Sequence, residues 1–233
     1  MAPNKGCAAF LMHDISEFVG QIINGDCLSV LPKLPDGSID FVLTDPPYLV
    51  DYYDRSGRSI AGDSIGDWLT PAFKQLYRVL KPGSLCISFY GWNRVDQFFA
   101  AWRAAGFTPV GHLVWPKSYS SGRGLLAYSH EQAYLLAKGN PRRPALPLPD
   151  VQQWYYTGNR LHPTQKGVRS LTPVIDAFTH QFYRAISSAL TWSLIRSGRS
   201  LTSRCVPWET PRIHCQSTSC PEQVDLLGSQ SIT

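Results

Sequence analysis

Ser38-Ile39-Asp40-Phe41-Val42-Leu43-Thr44-Asp45-Pro46-Pro47-Tyr48 is the stretch from which the rest of this chain is read. Phe41, Val42 and Leu43 make a short apolar run between polar residues, the pattern of a buried strand. Two prolines then end it, because a residue without an N–H cannot continue a central ladder. Asp45, Pro46, Pro47 and Tyr48 therefore fall just past the carboxyl end of a strand, which is where open α/β sheets bind ligands. Asp45 offers a carboxylate acceptor and Pro46 a carbonyl. Pro47 stiffens the turn, and Tyr48 offers a flat face for stacking. Acceptors beside an aromatic plate suit a planar group bearing an –NH₂, such as a base turned out of a nucleic-acid stack. Taken alone, the tetrapeptide reads equally well as a rigid turn.

The context is wider than the tetrapeptide. Ile23-Asn24-Gly25-Asp26-Cys27-Leu28, Leu34-Pro35-Asp36-Gly37-Ser38-Ile39-Asp40 and Asp45-Pro46-Pro47-Tyr48 follow one another in order. Together they resemble the DNA amino-methyltransferases, which methylate the exocyclic amine of adenine or cytosine with S-adenosylmethionine. Farther on, Asn159-Arg160-Leu161-His162-Pro163-Thr164-Gln165-Lys166 resembles the His-Pro-Thr-Gln-Lys-Pro block of the permuted (β-type) members. There the block follows the catalytic half and lies next to the cofactor. Here Gly167 stands where proline usually follows the lysine, which loosens the turn.

The resemblance implies a doubly wound, Rossmann-like α/β fold. It implies double-stranded DNA as partner, with a flipped target base, and it leaves a homodimer open. Asp45, Pro46, Pro47 and Tyr48 are expected to be catalytic. Asp26, Asp45, His162, Thr164 and Lys166 are expected to face the cofactor. No covalent intermediate is needed. Asp45 and the Pro46 carbonyl localise the amine lone pair on nitrogen, and Tyr48 stacks on the base. Carbon-5 cytosine chemistry needs a Cys nucleophile, usually in a Pro-Cys pair, and the chain contains no such dipeptide. Aspartate at the first motif position leans toward adenine, since cytosine-amine enzymes more often carry serine there.

The remaining segments organise around these motifs. Residues 1–12 read as an N-terminal extension, and Gln21-Ile22-Ile23 as a strand. Asp26 reads equally as the N-cap of a helix over Leu28 to Leu34. Asp51 to Gly66 is a polar loop, long enough to close over a base and to carry Arg55 and Arg58 toward phosphates; a solvated loop is the plain alternative. Thr70-Pro71 opens a helix striped by Phe73, Leu76, Tyr77 and Leu80. Leu85 to Tyr90, Val110 to Trp115 and Glu131 to Ala137 read as strands. A second helix, capped by Asn93 and ended by Gly106, turns Val95, Phe98, Phe99 and Trp102 inward. Strands alternating with helices predict a largely parallel sheet. Gly91-Trp92 and Trp115-Pro116-Lys117 end strands on the cleft side. Residues 139–160 form a short insert containing Arg142 and Arg143, read either as a target-recognition element or as a basic linker. Ser170 to Thr179 is a helix with Leu171, Val174, Ile175 and Phe178 on one face.

The resemblance covers residues 13–179, the expected catalytic portion. After Thr179 the permuted order calls for a strand and a glycine-rich turn, where backbone N–H groups approach the cofactor. No Gly-x-Gly occurs there, and the tail glycines are Gly198 and Gly228. The expectation is an irregular tail over 180–233, with a short helix over Ala185 to Ile195. A changed reading frame near Thr179 would account for the break.

Composition sets outer bounds. The chain has 233 residues, enough for one sizeable core, and 43% hydrophobic residues, which is ordinary for a globular protein. No apolar stretch is long enough for a membrane span. A cytoplasmic location is expected. The net charge of +5 permits nucleic-acid binding without requiring it. Six cysteines lack the spacing of a disulfide framework. No metal is expected: His162 has no neighbours at ligand spacing, and Cys205, His214, Cys215 and Cys220 fit no paired pattern.

Overall fold

The computed structural model describes residues 14–53, 57, 59–120, 124–158 and 165–179, together with the backbone of three later strands. The first strand, β1 (Ile39–Asp45), is buried along nearly its whole length. Its residues alternate between two cores. Ile39 and Val42 join one cluster, while Phe41 and Leu43 join the other. A strand covered on both faces needs a continuous apolar run, and this explains the Phe41-Val42-Leu43 pattern.

One face of the sheet is covered by α2 (Leu69–Val79) and α3 (Val95–Ala105). Leu69, Phe73, Leu76 and Val79 pack there beside Phe98, Ala101 and Trp102. The other face is covered by α4 (Val168–Thr179), through Leu171, Val174 and Phe178. Helices on both faces make the sheet doubly wound, as expected. Cys86 is fully buried among the first cluster and acts as a small hydrophobe.

With β2 (Leu80–Phe89), β3 (Thr108–Pro116), β4 (His130–Ala137), β5 (Thr191–Ile195), β6 (Thr202–Ser203) and β7 (Ile213–Gln216), the strand order is β3-β4-β2-β1-β5-β7-β6. β1 runs parallel to both β2 and β5. β4 runs antiparallel to β2 and to β3, so the sheet is mixed, not largely parallel. The reason is the connection. Between Lys117 and Ser129 the described residues form no helix, and without a crossover the chain returns beside itself in reverse.

Other expectations shift at the edges. Gln21 to Ile23 form no strand, and Ile22 stays 41% exposed with no sheet edge to join. Asp26 does cap a helix, α1 (Cys27–Val30), accepting from the Leu28 N–H at 3.0 Å. α2 starts one residue before Thr70, so Pro71 sits in its first turn, where a missing N–H costs nothing. A single 3₁₀ turn at Trp92–Arg94 precedes α3, so Asn93 is not its cap. Gly106 ends α3 in the left-handed region at φ 103°.

The insert adds structure to the β3 edge. Val114 N–H donates to Asp150 O at 2.9 Å, and Gln152 N–H donates to Val114 O at 2.8 Å. Residues 191–195 are a strand, not part of the expected short helix. Pairing with β1 supplies hydrogen bonds that no local sequence signal announces. Apart from β6 and β7 the rest of the tail, including Gly198 and Gly228, lies outside the described residues, as do residues 1–13.

Candidate active site

β1 delivers Asp45 to the carboxyl edge of the sheet with its side chain 12% exposed. Pro46 and Pro47 are buried, and Tyr48 is partly buried. The chain then turns sharply. Leu49 and Asp51 take φ values of 60° and 53°, which are uncommon for non-glycine residues. Asp63 holds that turn. Its buried carboxylate accepts the N–H groups of Leu49 and Tyr52, both at 2.7 Å. Arg94 adds a hydrogen bond from its Nε to Leu49 O at 3.1 Å. Gly91, just after β2, lets the two strand ends meet: a Cβ there would lie 2.5 Å from the Tyr48 carbonyl oxygen.

Both oxygens of Asp45 are engaged. The Tyr48 hydroxyl donates to Oδ1 at 2.9 Å, and the Lys166 ammonium donates to Oδ2 at 2.8 Å. Lys166 arrives from far along the chain, and the start of α4 positions it. Trp115 Nε1 donates to Ser170 O at 3.0 Å, and Tyr155 N–H donates to Ser170 Oγ at 2.8 Å. Gly167 fits tightly here, because a Cβ would lie 2.8 Å from Tyr155 O. The glycine that replaces the customary proline therefore makes a close approach and does not simply loosen the turn.

Lys166 is 6% exposed and sits in a box of charge and rings. Its Nζ is 3.7 Å from Glu131 Oε2, 4.6 Å from the Phe89 ring centroid and 5.2 Å from that of Tyr48. Glu131 Oε1 in turn accepts from Lys117 Nζ at 2.8 Å. Burial alone would lower the Lys166 pKa, but the Asp45 and Glu131 carboxylates outweigh it and hold the ammonium above its ordinary value. Burial would raise the Glu131 carboxyl, but Lys166 and Lys117 together hold it below the ordinary value. Burial, reinforced by the charge of Asp45, pushes the Tyr48 phenol well up, so it remains a donor.

The structure thus brings together Asp45, Pro46, Tyr48 and Lys166 from two distant motifs. A small apolar pocket lined by Cys27, Leu31, Thr44, Pro46, Trp68 and Phe73 places the start of α1 beside the end of β1. Asp26, one residue before Cys27, is exposed there. His162 and Thr164 lie outside the described residues, as do Arg55 and Arg58. So do the side chains of Cys205, His214, Cys215 and Cys220; among the described residues no cluster of three or more His, Cys, Asp or Glu could hold a metal. Lys117 reaches the cleft as expected, and Trp92, 57% exposed at the rim, stacks on Tyr128 at 5.5 Å.

Glu131 and Asp63 are functional positions that the sequence does not mark. Glu131 reads only as the first residue of a strand, and Asp63 is one acid among many polar loop residues. Spacing carries no signal for either.

A family model described as DNA methylase, of the N6/N4 methyltransferases, matches residues 39–182. The chain belongs to the N6/N4 DNA methylase family. The match ends close to Thr179, where the motif pattern also stops. Among this DNA methylase's relatives is YubD of Escherichia coli (strain K12), described as a methylase. It is 56% identical over 162 residues, covering 70% of this chain and 71% of YubD. The DNA adenine methyltransferase YhdJ of the same organism is 33% identical over 112 residues, covering 47% of this chain and 36% of that protein. Among solved structures, a PvuII DNA methyltransferase (cytosine-N4-specific) has a TM-score of 0.56 at 16% identity, covering 72% of this chain and 71% of that one, a likeness of fold. No helix among the methylase's described residues is long and apolar enough to cross a membrane.

Proposed function

We propose that this methylase transfers a methyl group to the exocyclic amine of adenine in double-stranded DNA, using S-adenosylmethionine. The observation that carries the reading is the Asp45 carboxylate, held at a strand end by two buried prolines, beside the Tyr48 ring and the buried Lys166 cation.

The residues at this edge fit parts of the cofactor. Asp26 uses Oδ1 to cap α1, and a carboxylate has acceptor capacity left for the hydroxyls or amine of an adenosine. Lys166, expected from the sequence to face the cofactor, is 6% exposed and has its cation committed to Asp45 and Glu131, so its part is to set the charge of the site beside the cofactor. When bound, S-adenosylmethionine would supply a methyl carried on a sulfonium, whose S–C bonding pair stays with the departing sulfur. Asp45 accepts an N–H of the amine, keeps the lone pair on nitrogen, and takes the proton the nitrogen sheds after transfer. Pro46 offers its carbonyl to the second N–H. Tyr48 and Pro47 fix the plane of the base. Such catalysis is mainly positioning.

The test is incubation with unmethylated DNA and labelled cofactor, followed by nucleoside analysis. N6-methyladenine in the wild type and none with Asp45→Ala, in a chain that still folds, is the expected result. Full activity in Asp45→Ala would remove Asp45 from the mechanism, and N4-methylcytosine would replace adenine as the target. A second reading, a chain that binds DNA without methylating it, is favoured by the missing Gly-x-Gly after Thr179. It predicts no cofactor binding by calorimetry.

A further inference from the structure

Asp45 has a problem as an acceptor in the structure as it stands. The Lys166 ammonium occupies Oδ2 at 2.8 Å, and the Tyr48 hydroxyl occupies Oδ1 at 2.9 Å. Each oxygen keeps a second lone pair, but in this largely buried group the amine has to share Oδ2 with a full positive charge, which weakens that oxygen as an acceptor. Lys166 cannot simply leave, because its side chain is only 6% exposed and a buried ammonium without a counter-charge is costly.

Glu131 resolves this. We propose that Glu131 is a positioning residue for methyl transfer: it takes the Lys166 ammonium from Asp45 when the target amine arrives. The inference rests on the reading of Asp45 given under Proposed function. Lys166 Nζ stands 3.7 Å from Glu131 Oε2, so a shift of about 1 Å converts that contact into a normal charge-assisted hydrogen bond. Along this path Nζ stays near the faces of Phe89 and Tyr48, at 4.6 and 5.2 Å from the ring centroids, and both rings favour a cation. Glu131 itself is fixed. Its other oxygen accepts from Lys117 Nζ at 2.8 Å, and the Lys117 side chain is 3% exposed. In β4, Glu131 sits opposite Trp115 of β3, which is fully buried and tied to the start of α4.

The cluster holds two cations, Lys117 and Lys166, and two carboxylates, Asp45 and Glu131. Its net charge is therefore zero in either arrangement. Moving Lys166 toward Glu131 keeps the ammonium beside a carboxylate throughout and leaves Asp45 holding the Tyr48 hydroxyl, with Oδ2 open to the amine.

The test compares wild type with Glu131→Gln, Glu131→Asp and the double variant Glu131→Gln/Lys166→Met, on unmethylated DNA. In Glu131→Gln the lysine stays on Asp45. The expected result is a kcat at least tenfold lower with KM for DNA within about twofold. Removing the lysine as well frees Asp45, so the double variant recovers much of the lost kcat. A purely structural Glu131 would make the double variant no better than the single one, and that outcome overturns the proposal. If Glu131→Gln does not fold, Glu131→Asp keeps the charge but falls short of Lys166, and a wild-type kcat there overturns the proposal equally.

A readout independent of turnover uses 15N-labelled lysine and 2′-deoxyadenosine as probe. The Lys166 Nζ resonance should shift on adding the nucleoside to the wild type, and should not shift in Glu131→Gln. A shift in a chain that fails to methylate DNA sinks the proposed activity but keeps the exchange. Methylation with no shift, and no loss in Glu131→Gln, sinks the exchange but keeps the activity.

Discussion

Replacing Lys166 with methionine is the most demanding test of the electrostatic reading of the site. Methionine fills a similar volume, so the change removes charge and hydrogen bonds more than packing. Lys166 is paired at 2.8 Å with Asp45 and at 3.7 Å with Glu131, and its side chain is 6% exposed. Breaking a buried pair by removing one partner costs about 3–5 kcal/mol, because a buried charge is left behind. Here the loss is cushioned. Asp45 keeps the Tyr48 hydroxyl, Glu131 keeps Lys117, and those two carboxylates are 12% and 22% exposed. The low end of the range, about 3 kcal/mol, is therefore expected. For a chain of this size each kcal/mol moves Tm by roughly 2–4 °C, which puts the fall in Tm at roughly 6–12 °C. Urea unfolding of both proteins, followed by tryptophan fluorescence, gives the free energy directly. A difference below about 1 kcal/mol, with an unchanged slope, would mean that the pair behaves like a surface ion pair and that the site is wetter than its burial indicates.

The same pair of proteins tests the pH dependence. Glu131 is held below its ordinary pKa, so its contribution is present above that value and is lost as pH falls through the lower, folded one. Lys166 is held above its ordinary pKa, so its contribution is full below that value and is lost as pH rises through the higher, folded one. The stability gap between wild type and Lys166→Met should be flat from about pH 5 to about pH 10 and narrow outside that window. A gap that already changes between pH 6 and 8 would contradict the assignment. Asp63→Ala should be equally informative. It strips two backbone donors of a buried carboxylate at 2.7 Å and releases the left-handed turn after Tyr48. Charge-assisted hydrogen bonds are worth about 1.5–3 kcal/mol each, so a loss of about 3 kcal/mol and a drop in methylation are expected. Retained stability in a calorimetric scan would show that the turn stands without Asp63.

The amino-acid sequence determined the local elements of this protein and the chemistry of its ends. The apolar run of β1 dictates a buried strand because period and composition act over a few residues, and Pro46-Pro47 dictates where that strand stops. α2, α3 and α4 are legible for the same reason, each carrying an apolar stripe at helical spacing. The direction of β4 was not legible, because parallel and antiparallel strands differ in what connects them more than in their own composition. β5 was equally hidden, since its place beside β1 depends on hydrogen bonds to a strand far away in the chain. The candidate site divides along the same line. Asp45 and Tyr48 lie in one motif and Lys166 in another, so their residue types could be named from the sequence. That Lys166 closes on Asp45, that Glu131 and Lys117 complete a neutral buried cluster around it, and that Asp63 holds the turn beyond Tyr48 were decided only by tertiary structure. Ion pairs in an interior depend on distance and desolvation, and neither is written in the spacing of residues along a chain.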